Sequence, residues 1–285
     1  LLGQNATGSK VADAKGPEAP TTYCNPIPLP NYPVGKRARD VRVGAPVPKG
    51  DWLWLVGRQE QFRELADVSV LWHDGAWYMY PSVDMAWVSK DGGATWQHHP
   101  LNVRDLGYAP TVAKHKGKFL LMASESSVHT ADSPLGPFKE LGPIVLPKGV
   151  PGQIDPMLFS DDDGKLYYYW GCTPTEGIYG VELDADNPTK VVGTPVQVVA
   201  FEPENSPWHR LGDWNEQPAR GWVEGAWMLK RDGKYYLTYA AAGTENRSYA
   251  TGCSVGKSPL GPFTPQKNNP VLRTTKGLVT GTAHG

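Results

Sequence analysis

Three carboxylates recur at one point of a repeating pattern, and their chemistry frames everything else in this chain. Asp67 lies in LADVSV, Asp155 in QIDPM and Glu224 in WVEGAW, each eight or nine residues before a glycine that centres a hairpin, and each opening an apolar stretch. A fourth copy of the pattern carries Ala109 at that point. Carboxylates that share a poorly solvated site raise one another's pKa, so one tends to hold a proton while another stays ionised. A protonated acid facing an ionised base is what hydrolysis of a glycosidic bond requires. An isolated acid at such a place would read as a turn or cap residue; three in phase read as a site.

The elements that would position these acids are short aromatic strands joined by tight turns. The four clear copies are Val68–Tyr80, Thr111–Met122, Met157–Trp170 and Ala226–Tyr239. Each centres on Asp-Gly or Lys-Gly, the signature of a two-residue hairpin, flanked by strand-forming Tyr, Trp, Phe, Leu and Val. The central glycines, Gly75, Gly117, Gly164 and Gly233, fall at intervals of 42, 47 and 69 residues. A period near 40–50 residues with several strands per unit indicates a β-propeller with one blade per repeat. The phrase SPLGPF at Ser133–Phe138 returns at Ser258–Phe263, a spacing of about two blades. A β-sandwich would not account for this phased repetition. In a propeller the innermost strands line the central channel, so Asp67, Asp155 and Glu224 converge at one mouth.

Composition agrees. The 285 residues include 32 Gly, 27 Pro, 11 Trp and 13 Tyr, which favours many turns, short strands and flat, sugar-like ligands. With 28 basic and 29 acidic residues the net charge is −1, which provides no electrostatic footprint for nucleic acid. No apolar run approaches the ~20 residues of a membrane span. Cys24, Cys172 and Cys253 are widely spaced and read as isolated thiols. Residues 1–20 read as a flexible leader and residues 21–285 as one propeller domain; the opening LLGQNATGSK has neither a charged segment nor an apolar core of a signal peptide.

The ordered set Leu65-Ala-Asp67, Tyr108-Ala-Pro110, Ile154-Asp-Pro156, Trp222-Val-Glu-Gly225 and Gly281-Thr-Ala-His284, with the two SPLGPF phrases, resembles glycoside hydrolase family 43 from about residue 60 onward. The resemblance implies an all-β, five-bladed propeller, with the fifth blade incomplete in this chain or completed by strands from residues 20–60. It implies an inverting, exo-acting glycosidase of the α-L-arabinofuranosidase or β-xylosidase type acting on arabinose- or xylose-containing plant carbohydrate. A galactan-acting β-galactosidase or a catalytically inactive sugar-binding propeller is the alternative. Asp67 would be the general base, Glu224 the general acid and Asp155 the group that orients Glu224 and raises its pKa. Inversion would place the base and acid carboxyls roughly 6.5–9.5 Å apart. His284 matches a histidine at the channel centre that holds a structural calcium ion directly or through water; no cofactor would be required. Val68 departs from the proline usual after the base. A carbohydrate partner, no nucleic acid, no membrane and a secreted or periplasmic location complete the expectation.

Around this core, Tyr108 either stacks on the sugar or packs within its strand, and Trp222 is either pocket wall or core filler. Trp208 and Trp214, in the insertion at residues 203–220, either form a sugar platform or anchor the loop. Glu125 and Arg247 are candidate hydrogen-bonding partners of substrate, each with a plain surface role as the alternative. Ser89–Trp96 fits the Asp-box of sialidases, but it occurs once, and that motif is a surface hairpin. His98 and His99 are read as exposed turn residues, and Asp161–Asp163 as a solvated hairpin turn.

Overall fold

The computed structural model describes residues 66–82, 85–103, 106–150 and 152–284. The proposed leader, the residues 20–60 considered for a further blade, and Leu65 of the first motif lie outside these residues. Four antiparallel four-stranded sheets follow one another along the chain. The first contains β1 (Ser69–His73), β2 (Ala76–Tyr80), β3 (Met85–Ser89) and β4 (Gln97–Pro100). The second contains β5 (Thr111–His115), β6 (Lys118–Met122), β7 (Val128–Ala131) and β8 (Lys139–Gly142). The third contains β9 (Met157–Ser160), β10 (Leu166–Trp170), β11 (Ile178–Leu183) and β12 (Val191–Val199). A two-stranded ribbon, β13 (Arg210–Leu211) and β14 (Gln217–Gly221), belongs to the insertion. The fourth sheet contains β15 (Val223–Arg231), β16 (Lys234–Ala241), β17 (Ala250–Gly256) and β18 (Phe263–Pro265).

Each sheet is a simple meander, and the first strands lie side by side in the row β1–β5–β9–β15. This is a propeller arrangement with four blades among the described residues. Helix there is confined to the 3-10 turn Pro207–His209, and no helix is long and apolar enough to cross a membrane.

Three of the four hairpins turn as their sequences predict. Asp74-Gly75, Lys116-Gly117 and Asp232-Gly233 each place both residues at positive φ, as a two-residue type I′ turn demands. The third blade differs. Its turn spans Asp161 to Lys165, closed by the Asp161 N–H on the Lys165 carbonyl at 2.9 Å. Asp161 is not solvated there: its carboxylate accepts from Lys230 Nζ at 2.6 Å and from the Tyr235 hydroxyl at 2.6 Å, tying the third blade to the fourth. The outer histidines differ too. His98 and His99 lie within β4, and His98 meets the edge of Trp87.

The cores are seams between blades. On β10, LYYYW, all five residues are buried because alternate side chains serve opposite neighbours. Leu166, Tyr168 and Trp170 pack towards Leu120 and Met122 of the second blade, whereas Tyr167 and Tyr169 pack with Met228 and Leu237 of the fourth. Tyr80, Phe119 and Leu121 fill the first seam. Burying each such side chain contributes about 1.5–3 kcal/mol.

Polar pins repeat across the seams. The Ser69 hydroxyl accepts from the Val112 N–H at 3.2 Å, and the Thr111 hydroxyl accepts from the Leu158 N–H at 3.0 Å. Farther out, the Tyr80 hydroxyl donates to the Pro134 carbonyl at 2.5 Å and the Tyr169 hydroxyl to the Pro259 carbonyl at 2.6 Å. Pro134 and Pro259 belong to the two SPLGPF phrases, which occupy equivalent loops of the second and fourth blades. The phrase recurs because each copy receives a tyrosine from the preceding blade.

Replacing Thr111 by Val keeps the shape of this buried side chain and leaves the Leu158 N–H unpaired. A stability loss of about 1–3 kcal/mol is expected, read as a lower denaturant midpoint with an unchanged slope.

Candidate active site

The loop before each innermost strand is pinched by the end of the second strand. The N–H groups of Ser82, Ser124 and Gly171 donate to the carbonyls of Ala66, Tyr108 and Ile154 at 3.0, 2.8 and 2.9 Å. The next residue in each loop takes a left-handed conformation: Asp67 at φ 52°, Ala109 at φ 48° and Asp155 at φ 53°. Such conformations cost of order 1 kcal/mol or more outside glycine and persist only where surrounding structure imposes them. Aspartate tolerates them better than most residues. Ser82 also braces its neighbours, accepting from the Ala109 N–H at 3.0 Å and donating to Asp67 Oδ2 at 3.1 Å.

The fourth blade departs from this phase by one residue. A bulge between Glu224 and Trp227 on β15 makes Gly225, at φ 61°, the left-handed position. The acid therefore sits one place earlier than its counterparts. A Cβ on Gly225 would lie 2.4 Å from His284 Cδ2, so close approach as well as φ demands glycine there.

Asp67, Ala109, Asp155, Gly225 and His284 line a small cavity on the channel axis. His284 joins the two aspartates: its Nδ1 is 3.0 Å from Asp67 Oδ1 and its Nε2 is 4.0 Å from Asp155 Oδ2. Glu224 does not line this cavity. It joins the cluster through Asp155, the ligand atoms of Asp155, Cys172 and Glu224 all lying within 4.8 Å of one another. Glu224 is buried, with the Cys172 thiol donating to Oε2 at 2.9 Å and the Tyr249 hydroxyl donating to Oε1.

Electrostatics separates the acids. Burial lifts Asp155 to about 7, against the pull of the His284 charge and with a further push from Glu224 and Asp67. Burial also acts to raise Asp67, but the hydrogen bond and charge of His284, with Ser82, outweigh it and hold that carboxyl below its ordinary value. Burial works against the His284 cation, yet Asp155 and Asp67 carry its pKa up to about 9. The cavity thus sets a carboxyl held low against an imidazolium held high, beside an aspartate that burial pushes up.

Cys172, Tyr249 and Ser82 are site residues that spacing did not point to. A cysteine after YYYWG reads as an isolated thiol, and Tyr249 sits in a loop with no repeat partner. The other expected residues do not line the cavity, although Trp222 reaches the cluster through Cys172. Tyr108 is half-buried in the loop before Ala109. Trp222 is half-buried and donates its indole N–H to Cys172 Sγ at 3.0 Å. Glu125 is exposed, and its backbone N–H serves the Gln153 carbonyl at 2.9 Å. Arg247 is exposed, with Nε 3.7 Å from Asp213 Oδ2 in the insertion. The insertion splits its two tryptophans. Trp208 is core, packed on Tyr239 and His209, whereas Trp214 is 79% exposed. Ser89–Trp96 forms a self-bonded hairpin between β3 and β4, Asp91 accepting from Ser89 and Thr95, away from the cavity.

The donors do not suit a directly bound calcium ion. Calcium takes six to eight oxygen ligands. His284 offers nitrogens already turned to the aspartates, and the one metal-like cluster among the described residues includes the soft thiol of Cys172. No step below is routed through an ion.

The sequence model of glycosyl hydrolases family 43 matches residues 79–285. A xylan 1,3-beta-xylosidase from Vibrio sp is 35% identical over 58% of this chain and 30% of its own length. A beta-xylosidase from Xylanibacter ruminicola is 31% identical over 64% of this chain and 58% of its own length. This chain thus spans less than two thirds of either relative. Among solved structures, an endo-1,4-beta-xylanase from Bacteroides thetaiotaomicron VPI-5482 superposes with a TM-score of 0.62 at 26% identity, over 78% of this chain and 79% of that one.

Replacing Gly225 by Ala should force His284 away from Asp67. The variant is expected to lose about 1–3 kcal/mol of stability, from the left-handed backbone and the displaced ring. Its imidazole, followed by NMR, should titrate well below the value of about 9 of the parent protein.

Proposed function

The chain belongs to glycosyl hydrolase family 43, and from that premise we propose that it hydrolyses glycosidic bonds of arabinose- or xylose-containing plant carbohydrate with inversion of configuration. One observation carries the reading: acids from three different blades adjoin through Asp155, which shares His284 with Asp67 and lies beside Glu224, and of the two aspartates Asp67 is held below its ordinary value while burial raises Asp155.

In this mechanism Asp67 is the general base. His284 and Ser82 keep it ionised and fix its direction, so it takes a proton from a water as that water attacks the anomeric carbon. Glu224 is the general acid and gives its proton to the leaving oxygen. Asp155 is a positioning residue beside Glu224, and its ionisation adjusts the charge that Glu224 meets. Base and acid act from opposite sides of the sugar ring, at the roughly 6.5–9.5 Å carboxyl separation of inverting enzymes, and no covalent intermediate forms. The reaction needs no cofactor.

Tyr108 and Trp222 are the proposed walls for the sugar at the cleaved bond, with Glu125, Arg247 and the exposed Trp214 contacting sugars farther out. The insertion closes one side of the site, which favours release of single terminal pentoses. A polymeric substrate fits a secreted or periplasmic protein, because polysaccharide does not cross a membrane unaided. Residues 21–285 form the catalytic domain in this reading, and a fifth sheet completes the circle begun by the row β1–β5–β9–β15.

Purified protein should release nitrophenol from the aryl arabinofuranoside or xyloside rather than the galactoside, and proton NMR should detect the inverted anomer first. Asp67→Asn and Glu224→Gln should each lower kcat by at least about a hundredfold while the circular dichroism spectrum is unchanged. Near-normal turnover by either variant removes the mechanism.

The pH profile tests His284 separately. With Asp67 held below its ordinary value of 3.8, the base stays ionised down to acidic pH. His284→Gln removes the cation while burial remains, so the Asp67 pKa rises and the acid limb of kcat/KM moves to higher pH. An acid limb that stays in place or moves down contradicts the pairing.

A further inference from the structure

Glu224 accepts two donors, and they are of unequal strength. The Tyr249 hydroxyl reaches Oε1 and the Cys172 thiol reaches Oε2 at 2.9 Å. A third group sets the direction of the thiol. Trp222 Nε1 lies 3.0 Å from Cys172 Sγ, and an indole N–H can only donate. Sulfur must therefore accept from Trp222, which leaves its own hydrogen for Glu224.

We propose that Cys172 is a positioning residue for proton donation, the middle member of a one-way chain from Trp222 through Cys172 to Glu224 that aims the Glu224 carboxyl at the leaving oxygen. This rests on the assignment of Glu224 as the general acid. It gives Trp222 a second duty beyond that of a wall.

The chemistry of the thiol suits the task. Burial, followed by the charges of Asp155 and Glu224, pushes its pKa far up, so it remains a neutral S–H. A thiol is a weak donor. It fixes the rotation of the carboxyl about its terminal bond without gripping the carboxylate as a hydroxyl does, so the proton that Glu224 must regain in every cycle returns at little cost. Tyr249, also held as a neutral phenol by burial and by Glu224, anchors the other oxygen. The thiol comes from the segment after β10 in the third blade, so the acid of the fourth blade is aimed by its neighbour.

The test uses leaving groups. Proton donation matters greatly for a phenyl glycoside and little for a dinitrophenyl glycoside, whose leaving group departs unaided. With the pentose that the wild type cleaves, Cys172→Ala should lower kcat on the phenyl glycoside about 5–10-fold, the worth of one hydrogen bond. The loss on the dinitrophenyl glycoside should be under about twofold, with KM unchanged on both. Cys172→Ser should restore the phenyl rate in large part and move the basic limb of its pH profile to lower pH, because a hydroxyl holds the carboxylate more strongly. Should Cys172→Ala not fold, Cys172→Val fills the space of the thiol without a donor and should give the same split. Equal losses on the two substrates, or no loss on either, overturn the role of Cys172. Glu224→Gln separates the two levels. If it shows the split and the Cys172 variants do not, only this inference fails; if Glu224→Gln shows none, or the wild type cleaves neither glycoside, the acid assignment falls and takes this inference with it.

Discussion

Gathering carboxylates at the axis of a channel is a problem of charge before it is a mechanism. An uncompensated buried charge costs several kcal/mol, and like charges at close range add to that. His284 is the compensation. One imidazole reaches Asp67 with one nitrogen and faces Asp155 with the other, so a single cation serves two blades. The fixed partners of Asp67 hold its pKa down, while burial, with Glu224 close by, pushes that of Asp155 up. The difference between the acids is thus a difference in partners, and it depends on one residue near the C-terminal end of the described chain.

The blades supply the positions. Each innermost strand begins where a backbone bond from the end of the second strand pinches the loop, and the residue after the pinch is left-handed. That geometry repeats in the first three blades irrespective of side chain, which is why Ala109 adopts it without being an acid. The fourth blade breaks the repeat with a bulge. Glu224 moves one residue off phase, away from the cavity that Asp67 and Asp155 line, into contact with Cys172 and Tyr249. Two acids share one backbone solution and the third has its own.

Much of this was legible. Alternating aromatic strands, Asp-Gly turns and phased glycines specify a meander of hairpins through local rules of period and turn chemistry, and repetition specifies blades. The readings that differed are those set by residues remote in sequence. Asp161 looked like part of a solvated turn, but Lys230 and Tyr235 arrive from the next blade to bury it. Trp208 and Trp214 look alike in one insertion; Trp208 fills the space that Gly252 leaves open, and Trp214 faces solvent. Cys172 looked like an isolated thiol because nothing local reveals that Trp222 and Glu224 lie on either side of it.

The sequence by itself determined the class of fold, the number of clear blades and which three acids begin their inner strands, because strand period, turn residues and repeat phase are local and survive in one dimension. Only the tertiary structure decided which acid pairs with a cation, which is pushed up by burial and which is held by a thiol and a phenol. Those properties depend on distances between blades and on desolvation, and both arise only when the sheets close around the channel.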